Sequence, residues 1–118
     1  MKSLTTNYAR GMMAEFFAMV FLWCKGYRIK AWRYKTPVGE VDIIAARGDV
    51  TAFIEVKLRH ELDGALQSIT PQMITRISRA AQYYVSHAGE NAGNMRFDVV
   101  AVAGWRLRHL DNAWRPQP

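Results

Sequence analysis

At 118 residues the chain fits one domain and is too short for two, and half its residues are hydrophobic with 22% charged, which excludes a disordered chain. Sixteen Lys and Arg against ten Asp and Glu leave a charge of +6 and a pI near 9.8. That balance favours a polyanionic partner, nucleic acid before an anionic membrane, although many small bacterial domains are basic. The single cysteine, Cys24, excludes an intrachain disulfide and a cysteine-based zinc cluster.

The first helix is expected from about Asn7, its N-cap, to Lys25, with Gly26 as its stop. Within it, Met12 to Cys24 is almost wholly apolar. That run has the length of a signal-peptide core and falls short of a membrane span. Glu15 interrupts it, and Trp23, Lys25 and Tyr27 stand where small cleavage-site residues would be required. The run is therefore read as a core helix of a cytoplasmic protein, packed on a sheet and covered on more than one side, with Cys24 as a buried thiol.

Tyr27 to Tyr34 reads as a strand and Thr36-Pro37-Val38-Gly39 as a turn. Glu40 to Arg47 and Val50 to Arg59 read as two strands joined at Gly48-Asp49, a pair suited to a two-residue type II′ hairpin. Residues 60–69 form a loop with room for a short helical turn. Thr70 caps a second helix that has Pro71 at its first position and runs to about His87. It sets Met73, Ile77, Ala81 and Tyr84 on one side and Gln72, Arg76, Arg79 and Tyr83 on the other. After a polar loop over Ala88 to Asn94, Met95 to Ala103 is a fourth strand and Trp105 to Leu110 a fifth. A crossover helix between the third and fourth strands makes those two parallel, so the fold class is α/β, a mixed sheet flanked by helices.

Along the third strand Ala52, Ile54, Val56 and Leu58 point one way and Phe53, Glu55, Lys57 and Arg59 the other. With Gly48-Asp49 as the turn, Arg47 pairs with Val50, and the same register sets Asp42 opposite Glu55 and Glu40 opposite Lys57. Opposed carboxylates about 5 Å apart repel by roughly 3 kcal/mol at an effective dielectric near 20. The Lys57 ammonium, a raised pKa or a bound cation has to offset that. Magnesium suits the last role, since it takes one or two carboxylates and completes its shell with water and phosphate oxygens. The alternative is a Glu40–Lys57 cross-strand pair with Asp42 solvated. Two carboxylates and a lysine are what metal-assisted phosphodiester hydrolysis requires: a cation to polarise the phosphoryl group and activate water, and an ammonium to stabilise developing charge.

The series GEVDIIA, then FIEVKLR with its EVK element, RISRAAQYY and RFDVVAVAG resembles the PD-(D/E)XK nuclease superfamily. It is most similar to the small bacterial YraN-like family of endonuclease-like proteins, related in fold to archaeal Holliday-junction resolvases. The resemblance implies a restriction-endonuclease-like α-β-β-β-α-β core over residues 1–118. It implies Asp42 and Glu55 as metal ligands for Mg2+ or Mn2+, Lys57 as the catalytic lysine, and the Val56 carbonyl as a further ligand. Glu15 matches the helix-borne acid that completes such sites in resolvase-like members; a capped or snorkelling surface glutamate is the other reading. Val41 stands where some branches have proline, and Met73 where the YraN-like pattern usually has lysine.

Arg76, Arg79 and Arg59 are the candidate nucleic-acid contacts, with a solvated helix face as the alternative for the helical pair. Asp98 shares a strand face with Arg96, which reads as an ion pair. His60, His87 and His109 have no carboxylate or histidine at ligand spacing in the sequence. The sequence therefore points to a metal-dependent endonuclease acting on DNA, branched DNA included, with a homodimer open and neither a membrane nor a small-molecule cofactor expected. With no length to spare for target recognition, shape rather than base sequence would be read. A non-catalytic nucleic-acid-binding or repair-scaffold protein that keeps the nuclease fold is the alternative.

Overall fold

The computed structural model describes residues 2–64, 66–87 and 93–115. Its elements are α1 (Lys2–Cys24), β1 (Arg28–Lys35), β2 (Glu40–Arg47), β3 (Val50–Leu58), a 3-10 turn (Leu66–Ser68), α2 (Pro71–His87), β4 (Asn94–Ala103) and β5 (Arg106–Trp114). The strands form one sheet in the order β1-β2-β3-β4-β5, antiparallel except for the β3–β4 pair. This is the restriction-endonuclease-like α-β-β-β-α-β order with a fifth strand added at the edge.

α1 begins earlier than expected, at Lys2, because neither proline nor glycine interrupts the chain before Gly11. It ends as anticipated. Gly26 takes φ 93, Gly26 N donates to Trp23 O and Tyr27 N to Leu22 O, which is a Schellman cap sealed by the Tyr27–Leu22 apolar contact. At the start of α2, Thr70 Oγ1 accepts Met73 N at 3.1 Å. Gly48 takes φ 61 and Asp49 is not a positive-φ residue, the backbone pattern of a type II′ turn. Most of the expected 88–94 loop lies outside the described residues.

Each face of the sheet carries one helix. Ala14, Ala18 and Leu22 of α1 pack on Ile43, Ala45, Ala52, Ile54, Val100 and Val102. On the other face Met73, Ile77, Ala80, Ala81 and Tyr84 of α2 meet Ile44, Phe53, Phe97 and Val99. Met73 is core, 3% exposed. Two expectations for α1 are corrected. The sheet covers one stripe only, so Met13, Phe16, Val20 and Trp23 are exposed. Cys24, in the last turn beyond Leu22, is exposed rather than buried. Among the described residues no helix is long and apolar enough to cross a membrane.

Candidate active site

The β2–β3 hairpin keeps the register expected from its turn, with Arg47 opposite Val50 and Ile43 opposite Ile54, and its ladder ends there. Both strands nevertheless run on. β2 stays paired to β1 through Tyr34–Val41 and Lys35–Glu40, while β3 stays paired to β4 from Glu55–Val99 to Leu58–Val102. The sheet therefore splits, with Asp42 on one side of the opening and Glu55 and Lys57 on the other. Asp42 Oδ2 bridges it by accepting the Val56 N–H at 2.8 Å, which satisfies a backbone donor the split would otherwise strand.

Glu55 is 5% exposed. Its Oε2 lies 3.2 Å from Lys57 Nζ and 3.0 Å from Arg76 NH2, while its buried Oε1 has no hydrogen-bond partner. Burial first, and then the charge of neighbouring Glu55, push the Asp42 carboxyl up to about 7, against the pull of the Val56 N–H. Two of the three foreseen offsets to carboxylate repulsion are thus present, a cation beside Glu55 and a proton-retaining Asp42. The Glu40–Lys57 alternative is not formed, since Lys57 pairs with Glu55 and Glu40 with Arg76 at 3.6 Å. Arg76, expected on the outer side of α2, turns to the site instead. Gly39 explains how, because its backbone lies directly on Arg76: an added Cβ would stand 2.1 Å from Arg76 O.

Glu15, from α1, faces Asp42 across a cavity of about 190 Å3 that Arg33, Lys35, Glu40 and Val41 also line. Its Oε1 accepts from Trp32 Nε1 and Arg33 Nε, both at 2.8 Å. Adjacent strand residues ordinarily point to opposite faces. Arg33 takes φ 55, uncommon for a residue with a side chain, and that break in the alternation is what lets both neighbours reach α1. Among the described residues no three His, Cys, Asp or Glu side chains stand at metal-holding spacing. The carboxylates brought together in the split are Asp42 and Glu55, with Glu15 held across the cavity by Arg33.

The model of a family described as uncharacterised protein family UPF0102 matches residues 14–102. The chain belongs to UPF0102. A UPF0102 protein of Paramagnetospirillum magneticum is 47% identical over 112 residues, 90% of this chain and 87% of the relative. One from Methylocella silvestris is 50% identical over 101 residues, 85% and 82% of the two chains. A third, from Rhizobium meliloti, is 45% identical over 107 residues, 89% and 88%. The UPF0102 match contains Glu15, Asp42, Glu55, Lys57 and Arg76, and it stops before β5.

Of the other basic candidates in this UPF0102 chain, Arg79 is exposed and joins Arg76 in lining a shallow groove with Val38 and Gln72. Arg59 is exposed just past β3, its guanidinium on the Leu58 carbonyl. The Arg96–Asp98 ion pair is present, with two hydrogen bonds at 2.8 and 2.9 Å. Sequence reading missed its extension. His109 Nε2 lies 2.8 Å from Asp98 Oδ2, and Asn112 N donates to Oδ1 where a bulge interrupts the β4–β5 ladder. Burial pushes the Asp98 carboxyl up, but the bonds from His109, Arg96 and Asn112 outweigh it and hold the group below its ordinary value. Arg33, Lys35 and Trp32 were also missed; the alternating basic residues of β1 were their only trace.

Proposed function

We propose that the β2–β3 split is a divalent-cation site for hydrolysing DNA phosphodiester bonds, and that this chain is a PD-(D/E)XK-type nuclease. The observation that carries the reading is the buried Glu55 carboxylate set against Asp42 across the split, close enough that its charge and a hydrogen bond between the two carboxyls add to burial in raising Asp42 to about 7. Hard oxygen donors of this kind suit Mg2+ or Mn2+. The cavity of about 190 Å3 on the Glu15 side of Asp42, which Glu55 and Lys57 do not line, has room for several waters of about 30 Å3 each around an ion held at Asp42.

Asp42 and Glu55 would hold the ion, with the Val56 carbonyl as a further donor and Glu15 placed to reach it through water. When bound, the ion supplies Lewis acidity toward a phosphoryl oxygen and an activated water. Holding the ion would require Asp42 ionised, its proton given to solvent. Lys57 Nζ, 3.2 Å from Glu55 Oε2, would orient the water or stabilise charge on the phosphorus centre. Lys35 and Arg33 at the cavity rim, with Arg79 and Arg59 beyond it, supply positive charge along the path of a phosphate backbone. The same basic surface suits branched DNA read by shape, in repair or recombination.

The capture of Glu15 by Trp32 and Arg33 favours the second reading, a non-catalytic DNA-binding or repair-scaffold protein on the nuclease fold. Calorimetric titration with Mn2+ and incubation with linear, flapped and branched DNA separate the two. The nuclease binds Mn2+ through Asp42 and Glu55, loses that binding in Asp42→Asn and Glu55→Gln, and cuts at least one substrate. The binder retains DNA without cutting it.

A further inference from the structure

α1 carries an apolar stripe on each side. The inner one, Ala14, Ala18 and Leu22, lies on the sheet. On the outer side Ala9, Met13, Phe16, Val20 and Trp23 recur at alternating steps of four and three, the seam by which one helix packs on another. Ala9, Met13, Phe16, Val20 and Trp23 are all exposed. Beside the seam, Met12, Met13, Phe16, Phe17, Trp32 and Trp105 line a groove of about 520 Å3 with almost no polar surface. Trp105, at the tight turn joining β4 to β5, is 91% exposed.

A helix apolar all round belongs in an interior, and one side of this one faces solvent. From their exposures, Met13, Phe16, Val20, Trp23, Trp32 and Trp105 present roughly 700 Å2 of side chain, at about 200 Å2 for a fully exposed large one. The largest apolar patch on a typical monomer is about 300–600 Å2, while a stable complex buries about 800 Å2 per partner. The patch is interface-sized.

Charge selects the occupant. The protein carries +6, so two copies repel through most orientations. Among the described side chains of α1 the charged ones are Arg10 and Glu15, and Glu15 is turned to Arg33. Arg10 borders the face at one end, beside Met13 and Trp105, and the stripe from Met13 through Phe16 and Val20 to Trp23 is itself uncharged, so two copies can meet along it without like charges in the seam. An interfacial membrane helix would instead flank its apolar face along its length with Lys and Arg. We propose that the outer face of α1, with the Trp32–Trp105 groove, is the interface of a homodimer in which α1 packs on its counterpart. Trp32 links that interface to the cavity, its ring in the groove and its Nε1 on Glu15. Dimerisation is independent of the proposed hydrolysis, so a monomer would leave the metal centre standing.

Sedimentation equilibrium on the full chain tests this across concentrations up to about 100 μM, with circular dichroism as the fold control. The parent sediments at twice its 13.5 kDa chain mass. Phe16→Glu, which sets charge into the seam, weakens the dimer by about 30-fold or more, the scale of a buried anchor. Trp105→Ala weakens it too, at an exposed turn position where folding is not at stake. A parent monomeric throughout, a folded dimer indifferent to both substitutions, or a monomer that binds phosphatidylcholine vesicles through this face would overturn the proposal.

Discussion

Removing the Asp42 charge should stabilise the metal-free protein. The carboxyl sits at about 7 when folded against an ordinary value of 3.8. A folded value raised above the unfolded one means that the native state holds the proton longer. The stability tied to it is present below about pH 4 and is lost as pH rises toward 7. Asp42 is only partly buried and shares its field with Glu55, so its ionisation costs the fold about 1–2 kcal/mol. Asparagine keeps an oxygen for the Val56 N–H and has no charge to bury. Asp42→Asn, unfolded in chelator, should therefore gain about 1–2 kcal/mol at pH 8, some 5–10 °C in melting temperature, and almost nothing at pH 4. Saturating Mn2+ should reverse the order at pH 8, because only the parent gains from binding the ion. A variant less stable than the parent by the same amount at both pH values would refute the reasoning.

Asp98 should behave in the opposite sense. Its depressed carboxyl adds stability that is present above about pH 4 and lost on further acidification, and Asp98→Asn should cost about 3–5 kcal/mol at neutral pH by stranding Arg96, with Mn2+ affinity unchanged by calorimetry. Gly39→Ala forces a Cβ onto the Arg76 carbonyl, where backbone meets backbone. A loss of about 1–3 kcal/mol in urea unfolding is expected. DNA binding should weaken steeply with salt, by about 0.9 in the log–log slope for each phosphate contacted, and a flat response in a filter-binding titration would exclude a backbone-reading surface.

Much of this was legible because local rules agreed with one another. Gly48-Asp49 specified the turn and the turn specified the register as far as Ile43–Ile54, one residue short of Asp42 and Glu55, where the strands part instead of pairing as expected. The i, i+2 spacing of Arg96 and Asp98 announced their ion pair in the same way. What stayed hidden depended on departures from regular geometry or on tertiary covering. No sequence rule puts an arginine at positive φ, so the turning of Trp32 and Arg33 together onto Glu15 could not be read. His109 reaches Asp98 only beside a bulge in the β4–β5 ladder. Cys24 and the outer face of α1 were misread for a different reason: an apolar helix records that it will be covered, and not whether its own chain supplies the cover.

The account turns on whether Lys57 serves bond cleavage at the split rather than DNA retention. Single-turnover cleavage by the parent and by Lys57→Ala, on the substrate the parent cuts best with Mg2+ or Mn2+, measures this once a melt has shown both to be folded. The account predicts cleavage reduced by about 10²-fold or more in the variant, with DNA affinity within a few-fold of the parent. A folded variant that cuts at the parental rate would contradict it, as would a parent that cuts no DNA structure with either ion.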